Sequence, residues 1–118
     1  VLTEFGGFEI VMMVGAYLAA AEAGITILGD GVIATSALLA ATRIEPHVRD
    51  YVVFCHKSAE AGHLVQLRAL DAKPLLDIGM RLGEGTGAMV AYPLLCSALA
   101  FMNRMASFES AGVSKNIR

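Results

Sequence analysis

Arg81-Leu82-Gly83-Glu84-Gly85-Thr86-Gly87 joins two apolar stretches, and how it is read decides the fold. Upstream, Pro74-Leu75-Leu76-Asp77-Ile78-Gly79 is short and apolar, like a buried strand. Downstream, Ala88 to Met105 is long and apolar, like a buried helix. Glycines at such a junction let the backbone turn sharply and let a ligand approach closely. The helix that follows would offer unpaired N–H groups and a partial positive charge. Two readings of Glu84 follow: a general base or part of an anion site, or a solvated glutamate in a tight βα turn. Gly-x-Gly-x-Gly is a weak signal, and spacing by itself favours the second.

Working outward, strand-like and helix-like segments alternate. Phe8 to Ala23 reads as a helix, apolar almost all round and therefore expected to be buried, with Gly24 as its left-handed cap. Ile25 to Leu28 reads as an interior strand, Gly29-Asp30-Gly31 as a turn, and Val32 to Thr42 as a helix. Pro46 is placed to open a short helical turn within Arg43 to Asp50. Tyr51 to Phe54 is a second strand, Gly62 to Leu70 a helix, and Leu75 to Ile78 a third strand. Pro93 lies inside the last helix and predicts a kink. Val1 to Gly7 reads as an irregular lead-in and residues 114–118 as a polar tail. This order implies right-handed crossovers and a parallel sheet flanked by helices. Three strands are fewer than such sheets usually hold, so part of the domain is expected outside this sequence.

Composition points the same way. The chain has 118 residues, 56% hydrophobic and only 17% charged, against about 25% charged in an average soluble domain. A single small domain has little interior for that apolar surface. A missing partner domain, a homo-oligomer or both are expected, and the opening Val1 fits a piece or a processed product. The net charge of −2 argues against a phosphate-driven nucleic-acid surface. No secretory leader is legible. Cys55 and Cys96 lie in apolar sequence, where reduced, buried thiols are common. Gly85 to Asn103 carries no charge and is long enough to span a bilayer. Pro93, Ser97 and Asn103 within it favour a buried helix of a core and no membrane.

In a parallel sheet the turns leaving the strand C-termini gather on one edge, where ligands bind. Those turns carry Asp30 and Gly31, then Lys57 and Ser58, then Glu84. Asp30 is either a ribose ligand or a helix cap. Ser58 is either a phosphate ligand, with the N–H groups of the next helix, or again a cap. Lys57 either neutralises a phosphate or is solvated. His56, His63 and Cys55 lack metal-ligand spacing, so no metal is expected, and His47 is expected at the surface. The methionines read as core filling. No nucleophile is paired with a base, which disfavours nucleophilic catalysis.

Several blocks carry a resemblance. Gly6-Gly7-Phe8-Glu9-Ile10, Asp30-Gly31, Asp50-Tyr51-Val52-Val53-Phe54-Cys55-His56-Lys57-Ser58-Ala59-Glu60 and Lys73-Pro74-Leu75-Leu76-Asp77 through Gly87 resemble the nicotinate-nucleotide:dimethylbenzimidazole phosphoribosyltransferases of cobalamin lower-ligand synthesis. The resemblance runs from about Gly6 to Val113 and corresponds to the last third of those enzymes. It implies that residues 1–113 are the C-terminal part of a Rossmann-like α/β domain in a cytoplasmic homodimer, with an N-terminal region absent here. It implies transfer of phosphoribosyl from nicotinate mononucleotide to 5,6-dimethylbenzimidazole without a cofactor, giving α-ribazole 5′-phosphate and nicotinate with inversion at the anomeric carbon. Glu84 would be the general base. Leu82 and Gly83 would border the benzimidazole, Ser58 would help bind the 5′-phosphate, and Asp30 would contact the phosphoribosyl group. Other family residues, including a second acidic residue and a lysine, lie outside this sequence. A non-catalytic nucleotide-binding or assembly module is the competing expectation.

Overall fold

The computed structural model describes Glu4 and residues 6–113. The expected polar tail at 114–118 lies outside the described residues, as do residues 1–3 and 5 of the expected lead-in. Helices α1 (Phe8–Glu22), α2 (Gly31–Ile44), α3 (Ala61–Ala69) and α4 (Thr86–Arg104) dominate. Strands β1 (Ile27–Gly29) and β2 (Val52–Phe54) pair in parallel, Ile27 with Val52 and Gly29 with Phe54. The architecture is a helix-dominated α/β unit with a small parallel sheet.

Local chemistry explains the boundaries. Gly24 takes φ 70° just after α1, where a left-handed residue costs glycine nothing. Its N–H donates to Ala21 O and the Ile25 N–H to Ala20 O, closing the helix. That cap uses up Ile25, so β1 starts two residues later than the apolar run suggests. Pro46 opens the 3-10 turn Pro46–Tyr51, and the Glu45 carboxylate caps it by accepting from the His47 N–H. The turn absorbs Tyr51, which the sequence placed in β2. Arg49 then ties this turn to the end of α3 by donating from Nε to Leu70 O at 2.7 Å.

The expected third strand shrinks to one parallel bridge, His56 with Leu76. Leu75 N–H donates to Phe54 O, Leu76 N–H to Cys55 O, and Lys57 N–H to Leu76 O. Pairing stops there, between Pro74, which lacks an N–H, and Gly79, at φ 68°. Leu75 and Ile78 are exposed on this edge.

The core gathers Val14 and Ala21 of α1, Leu38 and Ala41 of α2, Val48, Phe54 and Leu67. Three burial expectations are corrected. α1 is not sheathed all round: Phe8 and Met12 are exposed, because α2 and the 3-10 turn cover one face only. α4 is not a core helix: only Gly87 and Ala91 are buried, while Tyr92, Phe101 and Met102 are exposed. It is long and apolar enough to cross a membrane by length and composition. Cys55 is fully buried, as expected, but Cys96 on α4 is exposed for the same reason.

Leu38 is completely buried at the centre of the core. Leu38→Ala should lower the urea-unfolding free energy by about 2–5 kcal/mol. A loss below about 1 kcal/mol would mean that the core lies elsewhere.

Candidate active site at the strand C-terminal edge

The chain leaves β1 at Asp30, β2 at Cys55 and His56, and the bridge at Asp77. A cleft of about 180 Å3 opens on this edge. Asp30, Gly31, His56, Ser58, Arg81, Leu82, Gly83 and Glu84 are among the residues that line it. The edge thus brings together Asp30, Gly31, Ser58, Leu82, Gly83 and Glu84 of the residues expected from the sequence. It does not bring in Lys57, whose Nζ pairs with Asp77 Oδ2 at 2.9 Å away from the cleft wall.

Glu84 sits in an unusual backbone. Gly83, Glu84 and Gly85 have φ of 86°, 55° and 80°. Glycine adopts this left-handed region freely, but for a residue with a Cβ it costs roughly 1–2 kcal/mol. Such strain persists only where the surroundings over-determine it. Here the Thr86 N–H and hydroxyl both bond to Gly83 O, and the Met89 N–H bonds to Gly85 O. The Gly87 N–H donates to Asp30 Oδ2 at 2.9 Å. A hydrogen bond to a charged group contributes about 1.5–3 kcal/mol, enough to offset the left-handed glutamate. The turn is therefore held by its own hydrogen bonds and, from outside, by Asp30.

Asp30 is held in turn. Its Oδ1 lies 2.6 Å from His56 Nδ1, with 6% and 3% of the two side chains exposed. Neither atom has a well-aligned hydrogen bond among the described residues, so at this distance each is the other's nearest polar neighbour in a buried site, where an unpartnered polar atom is costly. Gly87 packs directly on the pair: a Cβ there would fall on Asp30 Oδ1 and His56 Nδ1. Both Asp30 oxygens therefore engage protein atoms.

The other wall has its own support. His63 Nδ1 accepts from the Ser58 N–H at 3.0 Å, so it carries no hydrogen. His63 Nε2 then donates to Thr35 Oγ1 at 3.0 Å, and that hydroxyl donates to Gly31 O. Burial holds the His63 pKa below its ordinary value, and His56 nearby adds to the lowering. The Ser58 Oγ accepts from the Glu60 N–H at 3.3 Å and keeps its own hydrogen to donate. Burial, with the Asp30 carboxylate, pushes the Cys55 thiol up to about 11, which makes it a poor nucleophile.

Sequence reasoning gave no role to Arg81 or Gly87 and rejected the one it weighed for His56. Arg81 supplies a guanidinium on the cleft wall, and its only signal was membership of the Gly-rich stretch. His56 was weighed as a metal ligand; its partner, Asp30, lies 26 residues away and no spacing links them.

Comparison with known proteins gives the family. A family model described as Phosphoribosyltransferase matches residues 1–113. The nicotinate-nucleotide–dimethylbenzimidazole phosphoribosyltransferase of Dechloromonas aromatica is 67% identical over 114 residues, 97% of this chain and 33% of that protein. The enzyme of the same name from Vibrio vulnificus is 59% identical over 97% of this chain and 33% of its own length. A crystal structure titled as CobT from Thermus thermophilus superposes with a TM-score of 0.88 at 45% identity, covering 96% of this chain and 34% of that one. The chain thus spans about a third of the length of the curated relatives it matches.

The buried neutral His63 makes a pH prediction. Its folded pKa lies below the unfolded value of about 6.5. The unfolded chain therefore binds more protons as pH falls below that value. The His63 contribution should be fully present above about pH 6.5 and be lost as pH falls through the folded pKa. Urea midpoints measured from pH 7.5 to 5 should drop in the wild type and drop less in His63→Gln. Equal slopes would contradict the assignment.

Proposed function

We propose, from the premise that the chain belongs to this phosphoribosyltransferase family, that it is the C-terminal part of a cytoplasmic enzyme of cobalamin lower-ligand synthesis. The reaction moves phosphoribosyl from nicotinate mononucleotide to 5,6-dimethylbenzimidazole. One azole nitrogen attacks the anomeric carbon from the face opposite nicotinate. The C–N bond to nicotinate breaks, and its electron pair leaves with the pyridine nitrogen. The other azole nitrogen gives up its proton to Glu84. The products are α-ribazole 5′-phosphate, inverted at the anomeric carbon, and nicotinate.

The observation that carries this reading is the left-handed Glu84 between Gly83 and Gly85 on the wall of the shared cleft. A carboxylate held in reach of an N–H is what a general base requires. Leu82, 76% exposed, offers an unoccupied apolar face for a flat heterocycle. Ser58, through its hydroxyl, and Gly31 face the 5′-phosphate and ribose, and Arg81 supplies the positive charge there. Asp30 orders that end of the cleft. Lys57 reaches the phosphate only by leaving Asp77.

About 180 Å3 is small beside the roughly 300–1,000 Å3 of ordinary ligand sites. The remaining walls come from the rest of the enzyme, an N-terminal region that extends the two paired strands into a Rossmann-like sheet. The bare apolar face of α4 packs within the full-length homodimer and not in a bilayer.

Glu84→Gln keeps the shape and removes the base. In the full-length enzyme, nicotinate release should fall about 10²–10⁴-fold in kcat. A wild-type kcat would reject Glu84 as the base, whereas no nicotinate release from the unaltered full-length protein would leave a module that binds nucleotide without turning it over.

A further inference from the structure

We infer that the buried Asp30–His56 pair is a positioning pair for Glu84, acting through the Gly87 N–H, and that the phosphate side of the cleft is supported separately through His63. The inference rests on the reading of Glu84 as the base.

The geometry separates the two supports. Asp30 faces His56 with one oxygen and Gly87 with the other. Gly87 is three residues from Glu84, with the strained turn between them. Asp30 Oδ1 and His56 Nδ1 lie 2.6 Å apart and neither has a hydrogen bond to any other described residue, so the imidazole is what the carboxylate oxygen is set against. A methyl group has no room between the pair and α4. Any loosening of the pair is therefore passed to the start of α4 and to the turn before it. The Ser58 loop is held by hydrogen bonds of its own. It hangs on His63, which is fixed by Thr35 and Gly31. The His56 and His63 rings lie 6.2 Å apart, tilted by 55°, with no hydrogen bond between them.

Different kinetic parameters should report the two supports. Losing the aim of Glu84 slows proton removal in the transition state and leaves ground-state binding of nicotinate mononucleotide nearly intact. A displacement of about 1 Å is enough to cost about 10²-fold in rate.

The test uses the full-length enzyme and nicotinate release. His56→Ala should lower kcat about 10- to 100-fold, with the KM for nicotinate mononucleotide within about threefold of wild type. His56→Asn places an amide N–H near the lost Nδ1 and should recover most of that kcat. Gly87→Ala keeps both partners but pushes the helix off them, and should reproduce the kcat loss; it decides the matter if His56→Ala does not fold. Three results would overturn the inference: wild-type kcat in Gly87→Ala, no recovery in His56→Asn, or a raised KM with unchanged kcat in His56→Ala. Glu84→Gln, run alongside, separates the two levels. If it loses activity while the His56 and Gly87 variants keep theirs, the positioning pair is wrong and the base stands. If Glu84→Gln itself keeps its kcat, both readings fall together.

Discussion

One carboxylate is shared by two groups from distant parts of the chain. Asp30, just after β1, meets His56, just after β2, and the Gly87 N–H, at the start of α4. A buried polar group is costly unless it meets polar partners. Its burial therefore demands that β1, β2 and the start of α4 arrive together. The small sheet, the cleft and the strained glutamate all depend on that demand being met.

The parts lacking inside the chain follow a pattern. The edge with Leu75 and Ile78, the outer face of α1 and most of α4 are apolar and uncovered. The cleft is open next to Leu82. These uncovered surfaces need neighbours, and relatives about three times as long have residues to provide them. The family match and the bare surfaces thus describe one situation from two sides. The polar contacts around Asp30 and His63 are made among the described residues, while much of the apolar surface is left uncovered.

The convergence of three strand exits was legible because it follows from topology alone: parallel strands send their exits to one edge. Glu84 stood out because glycines flank it. The roles within the cleft were less legible. Spacing could place Asp30 on the rim but could not show both its oxygens engaged, since a contact across 26 residues leaves no periodic mark. Lys57 looked like the natural cation, yet Asp77, on the neighbouring bridge segment, takes its ammonium. Burial of α1 and α4 was misread for a different reason. Hydrophobicity reports that a face must be covered, not that this chain covers it.

The central claim is that Glu84 is held where the heterocycle loses its proton. A crystal structure of the full-length enzyme with 5,6-dimethylbenzimidazole bound tests it most directly. The account predicts a Glu84 carboxylate oxygen within about 2.6–3.2 Å of the azole N–H, the ring lying along Leu82, and Asp30 still bonded to His56 and Gly87. A ring bound elsewhere, with Glu84 turned to solvent, would contradict it.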